Sequence, residues 1–122
     1  MQSAALAYGN TAKQTSSPRE LEANLLLKAA SRLQAVRDAW DTNEVADALL
    51  YNRKLWTVFM TTALDGTNPL PAAIRQNVAN LGIFVMGQTM ETISDPRPER
   101  LNSLININRE LAAGLMSRTA AA

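Results

Sequence analysis

Apolar residues recur along this chain every three or four positions, the period of helices that each bury one side, and the recurrence is interrupted at three places. The first helix is predicted to start at Ser17-Pro18-Arg19-Glu20. Ser17 can accept from a first-turn amide, Pro18 suits the first helical position, and Glu20 can reach back to the cap. From there to about Trp40, residues Leu21, Leu25, Leu26, Ala29, Leu33, Val36 and Trp40 fall within roughly 140° of arc. That width is the face of a bundle helix, wider than a two-strand seam.

Asp41-Thr42-Asn43-Glu44 repeats the capping pattern and opens a second helix reaching about Leu64. Its stripe is Val45, Ala48, Leu49, Leu55, Trp56, Phe59, Met60 and Ala63, with Asp47 and Lys54 opposite. Asp65-Gly66-Thr67-Asn68-Pro69 breaks the chain, and a third helix is predicted from Pro71 to about Ile93. Ile74, Val78, Leu81 and Val85 form one apolar row on it; Ile83, Met86, Met90 and Ile93 form a second. Together the rows cover roughly 200° of its circumference. A helix so apolar either forms the centre of the fold or holds a partner. Gly82 and Gly87 each cost about 1 kcal/mol in a helix interior, and they point to different faces, so no single seam of small residues accounts for both.

After Asp95-Pro96-Arg97-Pro98 a fourth helix is predicted from about Pro98 to Met116, with Leu101, Leu104, Ile105, Leu111, Ala112, Leu115 and Met116 inward. The short connections force successive helices to run antiparallel. The predicted fold is all-α: a compact bundle of about four antiparallel helices over residues 17–116. A flexible N-terminal arm over residues 1–16 and a frayed tail over 117–122 flank it.

Composition narrows the chemistry further. The chain of 122 residues has Cys 0 and His 0, which removes thiolate nucleophiles, His-based relays, zinc fingers and imidazole-bound metals. No glycine-rich phosphate loop is present, since the glycines are isolated. Glu20 with Glu22, and Asp95 with Glu99, are the nearest acidic neighbours, and no buried basic residue is expected beside either pair to make a site. No catalytic, cofactor-binding or metal-binding residue is therefore predicted. Lys+Arg 12 against Asp+Glu 11 leaves a net charge of +1, which argues against direct nucleic-acid binding. No run approaches the length of a membrane span, and Ser3-Ala4-Ala5-Leu6-Ala7 is too short for a secretory signal, so a cytoplasmic protein is expected.

One polar residue breaks the pattern. Asn108 lies at the centre of the fourth helix's apolar stripe, between Leu101, Leu104 and Leu111. Either it bonds a polar group of another helix and fixes register, or it meets the backbone of a bound segment. Leu27, Leu50 and Val58 are the reverse anomaly, apolar residues lying off their helices' stripes; gathered together they would form an interface. The main partner-binding candidates are Ile83, Met86, Met90 and Ile93 with Asn108, and Leu27, Leu50 and Val58 stand second.

Four stretches also carry a resemblance. They are Ser17-Pro18-Arg19-Glu20-Leu21-Glu22; Asn52-Arg53-Lys54-Leu55-Trp56; Leu70-Pro71 followed by Leu81-Gly82-Ile83-Phe84-Val85-Met86; and Leu104-Ile105-Asn106-Ile107-Asn108-Arg109-Glu110-Leu111 with Gly114-Leu115. In order and spacing they resemble the FlaF family of flagellar biosynthesis regulators from alphaproteobacteria, from about Tyr8 to Leu115. Phe84 stands where that family more often carries Trp. The resemblance implies a non-enzymatic cytoplasmic protein that binds flagellin, through an amphipathic terminal helix, and promotes its secretion and filament assembly as an export chaperone or escort. It also implies a working relation to the FlbT-type translation regulator and the flagellar export apparatus. The alternative is a post-transcriptional regulator of flagellin synthesis acting through the FlbT-type regulator or flagellin mRNA.

Overall fold

The computed structural model describes residues 17–121, with side chains to Ser117; the arm predicted over residues 1–16 lies outside the described residues. Four α-helices follow one another: α1 Pro18–Asp38, α2 Thr42–Leu64, α3 Ala72–Ser94 and α4 Asn102–Ala121. A single 3-10 turn, Pro98–Leu101, leads into α4. No strand occurs among the described residues, and the architecture is the all-α bundle that the periodicity predicts.

The helix starts follow from their capping residues. At α1 the Glu20 amide donates to Ser17 Oγ at 3.2 Å and the Ser17 amide donates to Glu20 Oε2 at 3.3 Å, a closed capping box. Asp41 caps α2 differently, accepting from the Asn43 amide at 2.9 Å, with Glu44 left as an acid favourable to the first turn. Because Asp41 must be extended to cap α2, α1 cannot run to Trp40 and closes at Asp38. The α2–α3 connection is tied by Asp65, whose Oδ1 accepts from the Thr67 amide at 2.9 Å, and by Asn68, whose Nδ2 donates to the Thr62 carbonyl at 3.0 Å. At the far end α4 stays helical to Ala121, past the predicted boundary at Met116.

The core is built mainly from α1, α2, α4 and the 3-10 turn, with Val78 and Val85 of α3 joining it. Leu26 and Leu33 of α1, Val45, Leu49 and Trp56 of α2, and Leu101, Leu104 and Ile105 are all buried. Trp56 and Phe59 add an edge-to-face ring pair with centroids 5.9 Å apart. Leu25, counted on the inner stripe of α1, is exposed instead.

The third helix is not the centre of the fold. α1 packs closely on α4 and on α2, whereas α3 packs along α2 and meets α4 only slightly. Its firm tie to that side is near its own C-terminal end. There Gln88 Nε2 donates to the Arg100 carbonyl at 3.1 Å, and Arg100 pairs with Glu91 at 3.5 Å. Toward the other end a groove lies between α3 and α4.

Candidate functional site

Side-chain size sorts the two faces of α3. Its buried positions are Val78, Ala79, Gly82, Val85, Thr89 and Thr92, all small or β-branched. The two threonines satisfy their hydroxyls within the helix: Thr89 Oγ1 donates to the Val85 carbonyl at 2.7 Å and Thr92 Oγ1 to the Gln88 carbonyl at 2.8 Å. At Gly82 a Cβ would run into the Met60 side chain, so glycine lets Met60 of α2 lie against the α3 backbone.

Four large apolar side chains of α3 are on the wet side. Ile83 is 65% exposed, Met90 57%, Phe84 50% and Ile93 45%. Met86 differs from its predicted companions, since it is half-buried and packs against the core. Ile83 and Met90 are seven residues apart, about 10 Å along the axis, with Gly87 between them on the same row. Nothing stands within 4 Å of where a Gly87 Cβ would be. Positions 83, 86, 87 and 90 are the four corners of the kind of hole that receives a knob from a facing helix. Glycine at one corner deepens it. Phe84 and the Gly87 notch escaped the sequence reading because Phe84 sits inside an unbroken apolar run and a glycine looks like a helix defect. Their signal was spacing: Gly87 stands three and four residues from Phe84 and Ile83, and three from Met90.

Asn108 is not part of this surface. It is fully buried, its Oδ1 accepting from Trp56 Nε1 at 2.9 Å and its Nδ2 donating to Asn52 Oδ1 at 2.7 Å and, more weakly, to the Leu26 carbonyl at 3.5 Å. One side chain of α4 is thereby keyed to α2 and α1, the register role open to it from the sequence. Asn52 and Trp56 complete the cluster, and Asn52 Nδ2 is left buried without a partner. Asn52 was legible as a polar residue one turn before Trp56 on the α2 stripe.

Leu27 on α1 and Leu50 and Val58 on α2 are each exposed. Val58 is eight residues beyond Leu50, more than two turns away, so the pair forms no compact patch on α2. Among titratable groups, the Glu22 carboxyl is pushed above its ordinary range by burial, against the opposing pull of Arg19. The Asp65 carboxyl is held below its ordinary range by the Thr67 amide and hydroxyl. Among the described residues no group of three or more acidic, His or Cys side chains could hold a metal ion, and no helix is long and apolar enough to cross a membrane.

Comparison with known proteins supplies the context for the exposed face of α3. No curated protein and no solved structure matches the chain. A family model described as flagellar protein FlaF matches residues 4–115, which takes in all of α1, α2 and α3 and most of α4. With nearly its whole length inside that match, the chain belongs to the FlaF family, and its role lies in flagellum biogenesis.

Proposed function

We propose that this protein binds flagellin in the cytoplasm and promotes its secretion and filament assembly as a non-enzymatic export chaperone, seating an amphipathic terminal helix of flagellin on the outer face of α3. The observation carrying this reading is the row of Ile83, Met90 and Ile93, flanked by Phe84 and notched at Gly87, on a helix with one close neighbour. Helix-on-helix recognition uses apolar anchors at such spacing, and methionine repacks around related clients. Membership of a flagellar family is what favours flagellin as that client. The near-neutral net charge of +1 favours a protein client over flagellin mRNA.

Co-expression with flagellin followed by size exclusion tests the proposal. The expected result is one peak containing both proteins, lost when Ile83→Glu and Met90→Glu are combined in a chain that keeps its helical signal. Separate elution at micromolar concentration, with the FlbT-type regulator or flagellin mRNA co-migrating with this protein instead, would replace escort by control of flagellin synthesis.

A further inference from the structure

Along the exposed side of α3, roughly opposite its buried row, Gln76, Asn80, Ile83, Gly87, Met90 and Ser94 succeed one another at alternating steps of four and three residues. That is the spacing at which one helix meets another along a coiled-coil seam. All six positions are exposed and none is charged. Glu91 alone carries a charge among the exposed positions of α3, since Arg75 is half-buried and donates to the Leu70 carbonyl at 3.2 Å. A helix face that stays in water ordinarily carries charges of both signs.

We propose that a second copy of this chain occupies the seam, α3 lying antiparallel on α3 across a two-fold axis, and that flagellin must displace it. The seam's match to itself selects this occupant. With the axis midway between Ile83 and Gly87, Ile83 of each copy enters the hole at Gly87 of the other, a large knob meeting the smallest wall twice over. Asn80 then opposes Met90, and Gln76 opposes Ser94. On the flank Phe84 meets Phe84 of the second copy, and Glu91 comes beside Asn77, whose amide can donate to it. The two Glu91 carboxylates are about 18 Å apart along the axis, too far to repel strongly. A parallel pair would instead set Gly87 against Gly87 and leave a void in the seam. The net charge of +1 adds little repulsion between copies. The seam is about 27 Å long and one helix wide, at the low end of specific interfaces, so the dimer is weak and exchanges. The displacement step rests on the flagellin reading; the pairing does not.

The cysteine-free chain permits a direct test. Full-length Gln76→Cys and Ser94→Cys proteins, mixed and mildly oxidised, are expected to form a disulfide-linked dimer of one of each, while neither forms one by itself. Linked dimers from Gln76→Cys alone would mean a parallel pair and overturn the proposal. So would a Val58→Cys protein, labelled on an exposed position of α2, that links as fast as the mixture, since that is random collision. In sedimentation the mass should rise with concentration from monomer toward dimer, and Ile83→Glu should abolish the rise while keeping the helical signal. A mass that ignores concentration, or a rise that survives Ile83→Glu, overturns the pairing. Added flagellin should convert the dimer to a complex with one copy of this protein; flagellin bound to an intact dimer overturns the shared seam. A dimer that links as expected but never co-elutes with flagellin leaves the pairing standing and removes the escort function. A monomer at every concentration that does co-elute with flagellin removes the pairing and leaves the escort function.

Discussion

Trp56 Nε1 donates to Asn108 Oδ1 at 2.9 Å, so an indole from the middle of α2 and an amide from the middle of α4 satisfy one another inside a mostly apolar core. The pair joins residues 52 positions apart. Neither group would be tolerable there alone, since an unpaired buried donor costs about 1–3 kcal/mol.

Asn108→Leu is therefore expected to destabilise the fold, because it strands the Trp56 N–H and the Asn52 Oδ1. A loss of about 2–4 kcal/mol follows from two such groups. Adding Trp56→Phe to Asn108→Leu should cost less than the sum of the single changes, with a coupling above about 0.5 kcal/mol in a double-mutant cycle. Urea titration measures each step. Asn108→Leu melting with the parent protein would show that the amide contributes nothing to stability.

The two methionines of α3 should respond in opposite ways to the same substitution. Met90→Glu places a carboxylate on a side chain that is 57% exposed and is expected to change stability by less than about 0.5 kcal/mol. Met86→Glu inserts one against the core and should cost about 1–3 kcal/mol. Flagellin binding is expected to fall in both, in Met90→Glu with no change in melting temperature. Equal melting temperatures for the two variants would contradict the half-buried placement of Met86.

Two glycines of one helix make a second contrast. Gly87→Ala meets nothing and should stabilise by about 0.5–1 kcal/mol, because alanine is the better helix former. Gly82→Ala forces the Met60 side chain aside and is expected to lose about 1–2 kcal/mol despite the same intrinsic gain. Shortening the neighbour with Met60→Ala should recover part of that loss. Gly87→Leu extends the contrast to function: it fills the notch, so a more stable protein should bind flagellin less well.

Glu22 gives a pH signature. Its carboxyl binds its proton more tightly folded than unfolded, so this group's contribution to stability falls as pH rises from the ordinary carboxylate range through its raised folded value. Glu22→Gln should raise the melting temperature at neutral pH. The gain should vanish in acid below the ordinary carboxylate range. A gain that stays constant with pH would assign the effect to something other than ionisation. Asp65 has the opposite sign, its contribution being present above the ordinary range and lost as pH falls through its lowered value.

How much of this was legible in the sequence depends on the distance over which each feature is decided. The start of α1 lies wholly within Ser17-Pro18-Arg19-Glu20, and the structure realises both bonds of that box. The four-helix reading is similarly local, resting on period and breakers. Where α3 belongs is decided elsewhere. Hydropathy counts Ile83 and Val85 alike, yet α2 approaches so closely at Gly82 that the fully buried positions of α3 are small or β-branched, and Ile83 turns outward. Asn108 was conspicuous as a polar residue on an apolar stripe, but its partner Asn52 lies 56 positions away, and no periodicity within α4 points to it.

The attachment of α3 chiefly along α2, pinned by Gln88 and Glu91 at one end, also sets a hierarchy of opening. Lifting α3 away exposes the Met60 contact but leaves the Trp56–Asn108–Asn52 cluster and the α1–α4 interface intact. Its backbone amides should then exchange with solvent through a sub-global step cheaper than complete unfolding, while those around Leu26, Leu49 and Leu104 wait for the global one. A client helix laid on α3 would suppress that step first. Recognition would therefore register as slowed exchange along residues 72–94, a readout of binding independent of any change in shape.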